Sequence, residues 1–279
     1  MPLNVTKYSG DKEPFDKSKL RKSLVSAGAN PVLTGHIANQ IREKLYEGIT
    51  TEKIYKEAFR LLRSESERSA GRYRLKESLF ELGPSGYPFA KFVAELLERL
   101  GYKTDAGITL QGECVSHEID VIAQNDDAYL LVECKFNNRS ENRCNVKVPL
   151  YIQSRFLDLK RSVSTMPAHK DKIHKGWVVT NTRFTSDAEK YGACVGLKLL
   201  SWDFPRKNGI KDLITYLNLY PVTCLSHLTK EEKRQLLSHE IIFCKQICED
   251  KKRLEQAGIN PRQINRIVRE ANEICNNGD

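Results

Sequence analysis

Along residues 1 to about 83, apolar positions recur at helical spacing behind one short alternating stretch. The alternation covers Val5 to Tyr8 and Glu13 to Phe15, with Ser9, Gly10 and Asp11 between, and predicts a small β-hairpin. Asp16 then stands where a helix N-cap belongs, and Leu20, Leu24 and Ala27 line the inner face of a helix that Gly28 stops. Pro31 opens a second helix, with Ile37, Ile41 and Leu45 on one side and Gly48 at its end. Thr50 or Thr51 caps a third, built on Ile54, Ala58, Leu61 and Leu62, and Arg72 to Leu82 predicts a fourth.

The pattern changes at Gly83, Pro84, Ser85, Gly86, Tyr87 and Pro88, the densest cluster of breakers in the chain, which sets a domain boundary there. Phe89, Phe92, Val93, Leu96, Leu97 and Leu100 trace one more amphipathic helix, ended by Gly101. Strands are then predicted near 108–115, 117–123, 128–136, 176–181 and 197–201, with helices near 149–163 and 185–193. From about 222 the pattern is helical again. Thr229 and Glu232 have the spacing of a capping box, and Asn260 with Pro261 starts a last helix. The reading is a multi-domain α/β protein: a mostly helical segment with a hairpin (1–83), an α/β sheet domain (84–221) and C-terminal helices (222–279) suited to packing or self-association. Basic residues in the last segment are interleaved with acids, which favours solvated helix faces over a DNA-binding tail.

Composition adds little to this and removes some alternatives. With 279 residues, 40% of them hydrophobic and 29% charged, the chain can build real cores and has room for more than one domain. A formal charge of +9 favours a polyanionic partner, a weak signal since many basic proteins bind no nucleic acid. The opening MPLNVTKYSGDKEPF has no apolar core, so the eight cysteines point to a reducing, cytoplasmic setting. Cys244 and Cys248 lack zinc-finger spacing and the rest are scattered, so they read as small buried apolar residues. No stretch approaches the roughly 20 apolar residues that span a bilayer.

The chemistry concentrates in HEIDVIAQNDDAYLLVECKF, two alternating runs joined by Gln124 to Asp127, which reads as a β-hairpin. A turn centred between Asn125 and Asp126 sets Glu118 opposite Glu133 and Asp120 opposite Leu131. Asp120, Glu133, Lys135 and Glu118 then share one face, and Ile119, Val121, Val132 and Cys134 the other. Asp120 and Glu133 with the backbone carbonyl of Cys134 form an oxygen donor set for a hard cation, Mg²⁺ or Mn²⁺, and Glu118 could serve a second metal. Such a cation acidifies water and neutralises a scissile phosphate, while Lys135 orients the water or stabilises the charged transition state. Taken alone, three acids and a lysine equally suit solvated cross-strand charge pairs.

The flanking context resembles the restriction-endonuclease-like superfamily with its PD-(D/E)xK motif, and within it the Mrr-like catalytic domain. The similarity spans about residues 84 to 205: a helix ending in Gly101-Tyr102, a strand into the site, the acid of HEIDVIA and the doublet VECK. The resemblance implies that Asp120, Glu133 and Lys135 are metal ligands and catalytic lysine. Ile119 stands where the motif's name has proline. Ala90 and Lys91 follow Phe89 where many relatives carry a glutamate, which leaves Glu95 as a substitute. Gln153, on the helix after the motif strands, occupies a place where such nucleases often have a polar residue. Thr180, Asn181 and Arg183 fall at a strand end suited to DNA backbone contacts. His117 and His169 are unassigned, since a lone histidine is more often structural.

The N-terminal VTKYSGDKEPFDKSKLRKSL resembles the ATP-cone, an allosteric nucleotide-binding domain, over about residues 3 to 83. The likeness rests on Val5, Lys7, Gly10, Glu13, Phe15, Asp16 and Lys19, on the Gly48–Thr51 turn and on Ala70–Arg74. It implies that Val5, Lys7, Glu13, Asp16, Lys19 and Thr51 bind ATP or dATP. Lys19 in the first turn of a helix suits a phosphate, and no Walker-type loop is present, so the domain senses a nucleotide without hydrolysing it. The expectation is a nucleotide-regulated, Mg²⁺-dependent DNA endonuclease, a homo-oligomer suited to restriction or phage defence. The alternative is a nucleotide-responsive nucleic-acid-binding regulator with an inactive nuclease fold, and RNA remains open as a substrate.

Overall fold

The structure is a computed structural model that describes residues 3–7, 10–166 and 171–276. Tyr8 and Ser9 of the expected hairpin, and His169, lie outside the described residues. The chain begins with β1 (Asn4–Thr6) and β2 (Lys12–Pro14), followed by α1 (Lys17–Ser26), α2 (Pro31–Glu43), α3 (Thr51–Glu65), α4 (Glu67–Tyr73) and α5 (Leu75–Phe80). The centre runs α6 (Tyr87–Arg99), β3 (Lys103–Gln111), β4 (Ser116–Gln124), β5 (Ala128–Lys135), β6 (Arg143–Cys144), α7 (Lys147–Val163), β7 (Ile173–Thr180), β8 (Arg183–Phe184), α8 (Ser186–Val195), β9 (Lys198–Leu200) and α9 (Ile210–Leu217). It closes with α10 (Lys230–Ser238), α11 (Cys244–Glu249), α12 (Lys252–Gln256) and α13 (Pro261–Cys275). The chain forms two compact units, residues through Ser78 together with those from Tyr220 onward, and Leu79–Leu219.

In the first unit, local chemistry sets the helix ends. The Asp16 side chain accepts from Ser18 N and Lys19 N, Asn30 from Leu33 N, and Thr50, not Thr51, from Lys53 N. Gly28, at φ 87°, supplies the left-handed turn after α1. One predicted helix is two: Ser66 ends α3 and caps α4 by accepting from Ser69 N, so helix resumes at Glu67, five residues before the predicted start at Arg72. Leu24, Ile37, Ala38, Ala58 and Leu62 form the centre of the core. The C-terminal helices, read from sequence as a segment of their own, lie in this same unit. A Cβ on Gly71 would come within 2.3 Å of Ile274 of α13, and Arg72 caps the end of α13 with Nη2 donating to the Ile274 carbonyl at 2.9 Å.

The second unit is a mixed five-stranded sheet in the order β3-β4-β5-β7-β9. β3, β4 and β5 pair antiparallel, and β5, β7 and β9 parallel, so α7 and α8 serve as the crossovers that parallel neighbours require. α7 lays Leu159 and Val163 on Ile122, Tyr129 and Leu131, while Ile152 packs with Val178 and Leu199. β6 and β8, absent from the sequence reading, make a separate two-residue parallel pair. β3 starts at Lys103, five residues before its predicted start; Thr104 and Ala106 there are half-buried while Lys103 and Asp105 are exposed.

Three cysteines, Cys144, Cys224 and Cys244, are buried as expected, whereas Cys114 and Cys194 are exposed; all eight are free thiols. Among the described residues no helix is long and apolar enough to cross a membrane.

Candidate functional site

The β4–β5 hairpin carries the motif residues in a register two residues away from the predicted one. Asn125 makes the turn: its N–H donates to the Ala128 carbonyl, and its side chain accepts from Asp127 N at 3.1 Å and Ala128 N at 2.8 Å. The turn therefore centres between Asp126 and Asp127. Val121 pairs with Val132 and Ile122 with Leu131. Continued one step, this register puts Asp120 across from Glu133, and Glu118 at the level of Lys135, in place of the predicted pairs. A slide of two keeps every side chain of β5 on its predicted face.

The ladder stops at Val121–Val132, and the strands fork beyond it. The backbone groups released there are taken up by side chains. Asp120 Oδ2 accepts from Cys134 N at 2.7 Å, and Arg155 of α7 donates Nη2 to the Glu118 carbonyl and Nη1 to Glu133 Oε2, the latter at 2.8 Å. Alternation along β4 also changes phase here. Ile119, expected on the far face, packs with Ile122, Leu131 and Leu159 in one cluster. The β3 position across from Asp120 is Gly107, at φ 67°, between the pairs Ala106–Val121 and Ile108–Ile119. A left-handed residue in an edge strand lets the pleat turn over. His117 and Ile119 both turn to α7, so by alternation Glu118 points away from it, and its side chain is exposed. Asp120 and Glu133 are brought together as expected; Glu118 is left outside the pair.

Burial pushes the Asp120 carboxyl above the ordinary range, partly offset by the Cys134 N–H. Glu133 is raised too, first by burial and then by the charge of Asp120, with Arg155 pulling the other way. Lys135 is exposed at the open end of the fork and lowers both carboxyls electrostatically. With one oxygen of each carboxylate already engaged, Asp120 Oδ1, Glu133 Oε1 and the Cys134 carbonyl remain as donors. Hard oxygen atoms fit a hard divalent cation. No group of three His, Cys, Asp or Glu side chains poised for a metal occurs among the described residues, so main-chain oxygen and water must complete any coordination shell.

Outlying candidates fall elsewhere. Glu95 pairs along its own helix with Arg99 at 2.8 Å. Gln153 lies on α7, its Oε1 buried with no hydrogen-bond partner among the described residues. Thr180 and Asn181, proposed from sequence for DNA contact, are fully buried. Asn181 exchanges hydrogen bonds with the Asn137 main chain at 2.9 and 2.8 Å and locks the segment after Lys135 in place. Arg183 is held by Asp203 at 2.6 Å. His117 donates Nε2 to Asp158 at 2.7 Å, a structural tie. Arg155 was missed, although its charge between Ile152 and Leu159 on the buried stripe of α7 is a sequence signal.

In the first unit, Val5, Glu13, Asp16, Lys19 and Thr51 line one pocket of about 190 Å³. Lys7 reaches it through Glu13, which pairs with Lys7 at 2.7 Å and with Lys19 at 3.4 Å. These lysines draw the Glu13 carboxyl below its ordinary range, Lys7 first. The remaining walls include Phe15, Ser23, Tyr55 and Tyr73, with the two tyrosine rings stacked at 4.9 Å. Burial pushes both phenols up. Tyr73 lies in the Ala70–Arg74 stretch that resembles the ATP-cone, while Tyr55 carries no sequence signal beyond lying one turn after Thr51.

Three family models match the chain in order: the ATP cone domain over 3–75, the Mrr-type restriction endonuclease catalytic domain over 83–203, and the AF1548-like C-terminal domain over 220–275. An uncharacterised protein from Archaeoglobus fulgidus is 34% identical over 183 residues, 65% of this chain and 99% of that protein. The crystal structure of a protein of unknown function, AF1548, is 32% identical and matches 68% of this chain and 98% of that one with a TM-score of 0.57. The structure of Can2 from Sulfobacillus thermosulfidooxidans with cyclic tetra-adenylate is 15% identical over 75% of this chain and 64% of that one, with a TM-score of 0.34. The chain therefore belongs to the AF1548-like family, and it carries in order matches to an ATP cone, a restriction-endonuclease domain and the AF1548-like C-terminal domain.

Proposed function

We propose that this protein is a nucleotide-regulated, divalent-cation-dependent DNA endonuclease. The observation that carries the reading is the fork itself, where Asp120 and Glu133 face each other as half-buried carboxylates with Lys135 at the open end. Two desolvated acids cost stability, and a site built that way suits a cation ligand better than surface charge pairing. When bound, Mg²⁺ or Mn²⁺ would supply positive charge to the scissile phosphate and acidity to the attacking water. Asp120, Glu133 and the Cys134 carbonyl would hold it. The exposed Lys135 ammonium is placed to orient water or to stabilise charge that develops on the phosphate. The first-unit pocket is the site for ATP or dATP, with its aromatic walls for the base and Lys7 and Lys19 for phosphates. Cutting both strands of a duplex with one site per chain calls for two copies, so a homo-oligomer is part of the proposal.

The test is incubation of the protein with plasmid and linear DNA, and with RNA, in Mg²⁺ or EDTA, without nucleotide and with ATP or dATP. The expected result is Mg²⁺-dependent DNA cleavage whose rate changes with nucleotide. Nucleotide-indifferent cleavage would remove the regulatory half. Binding without cleavage would leave a nucleic-acid-binding regulator.

A further inference from the structure

We infer that Arg155 is a positioning residue that keeps the β4–β5 fork open and holds Glu133 ready for a cation, an inference that rests on reading the fork as a metal site. Strands that part company leave main-chain donors and acceptors without partners across the gap, and such groups favour re-pairing unless side chains or water satisfy them. On β5 the orphan is Cys134 N–H, which Asp120 takes. On β4 the Glu118 carbonyl accepts from Arg155, while a second nitrogen of the same guanidinium holds Glu133 Oε2. One planar group thus ties the two prongs of the fork at a fixed separation and fixes the rotamer of a candidate ligand.

The arginine is itself well placed for this. Its side chain is only 13% exposed, its guanidinium lies 5.5 Å over the Tyr151 ring, and Ile152, Phe156 and Leu159 anchor the surrounding turns of α7 in the core. A cavity of about 20 Å³, lined by Ile119, Leu131, Glu133 and Arg155 among others, has room for about one water beside the buried Nε, which has no protein partner among the described residues. Lysine cannot substitute: a single ammonium lacks the rigid spread that lets a guanidinium meet two acceptors in fixed directions.

The test compares Arg155→Met and Arg155→Lys with wild type in the full chain, by calorimetric titration with Mn²⁺ and by amide hydrogen exchange of residues 132–135. Arg155→Met is expected to weaken Mn²⁺ about tenfold or more, the scale on which groups that orient metal ligands act. Exchange at Cys134 should rise by a similar factor. Arg155→Lys should restore the charge and still bind several-fold more weakly than wild type. A lysine variant indistinguishable from wild type in both measurements overturns the inference. So does Mn²⁺ affinity at or above wild type in Arg155→Met, which would make the arginine a competitor of the cation. Lost folding would lower the calorimetric stoichiometry and leave the dissociation constant of the remaining protein unchanged, an outcome that also counts against a positioning role. The two readings fail separately. Wild-type protein that binds no Mn²⁺ defeats the metal-site reading, and the exchange comparison then still decides whether Arg155 holds the fork.

Discussion

The two pockets treat charge in opposite ways. In the first unit Lys7, Glu13 and Lys19 are paired at the rim, with Lys19 66% exposed, over a floor of apolar and aromatic side chains. Exposed pairs like these contribute little and exchange partners cheaply, so an incoming phosphate can take the lysines from Glu13 at small cost. In the second unit Asp120 and Glu133 are half-buried, raised by desolvation and neutralised only in part by Arg155. Such an arrangement costs stability, a cost that a bound cation would offset. On the proposed function, the contrast suits reversible sensing in one unit and pre-organised chemistry in the other.

Lys135→Ala should give one of the largest effects. If Lys135 acts on the transition state, cleavage falls by about 10²–10³-fold with Mg²⁺ affinity little changed. A loss of affinity matching the loss of rate would instead make the lysine part of the binding framework. In the other unit, Lys19→Ala should weaken ATP or dATP by about tenfold, as removal of one charge-assisted hydrogen bond does. Unchanged affinity by calorimetry would move the phosphates away from α1.

A smaller effect separates a structural carboxylate from the proposed metal-site carboxylates within the second unit. Asp158 is held at about 2, first by His117 and then by the Cys114 N–H, which ties the β3–β4 turn to α7. Its folded-state value lies below the unfolded one, so its stabilisation is present above pH about 4 and fades as pH falls toward 2. Asp158→Asn should lack that part of the acid dependence in thermal melts. Asp120 and Glu133 run the other way, because their raised values mean that the charged forms cost stability, a cost relieved as pH falls through them. Arg183→Ala should matter least: its exposed pair with Asp203 is worth about 0–1 kcal/mol by the measure of surface ion pairs.

Much of this was legible in the sequence because it is local. Asp16, Asn30-Pro31 and Thr229 with Glu232 announce helix starts through groups within three residues of one another. The alternation of HEIDVIAQ against AYLLVECK likewise places Asp120 and Glu133 together. The illegible parts depend on distant partners or small backbone choices. Asn125 sets a turn one residue on, which shifts the register by two, and Gly107, thirteen residues before Asp120, turns the pleat over there. Arg155 reaches the fork only because α7 crosses it, and α13 joins the first unit through Gly71 and Arg72, some two hundred residues before it.

The most direct measurement is plasmid cleavage over a Mg²⁺ series by wild type and Asp120→Asn, each with its melting temperature taken without metal. The account predicts cleavage that rises with Mg²⁺ in the wild type and is abolished in Asp120→Asn, whose metal-free melting temperature equals or exceeds that of the wild type because a desolvated charge has gone. Undiminished cleavage by folded Asp120→Asn would contradict it, and the chemistry would have to lie outside the fork.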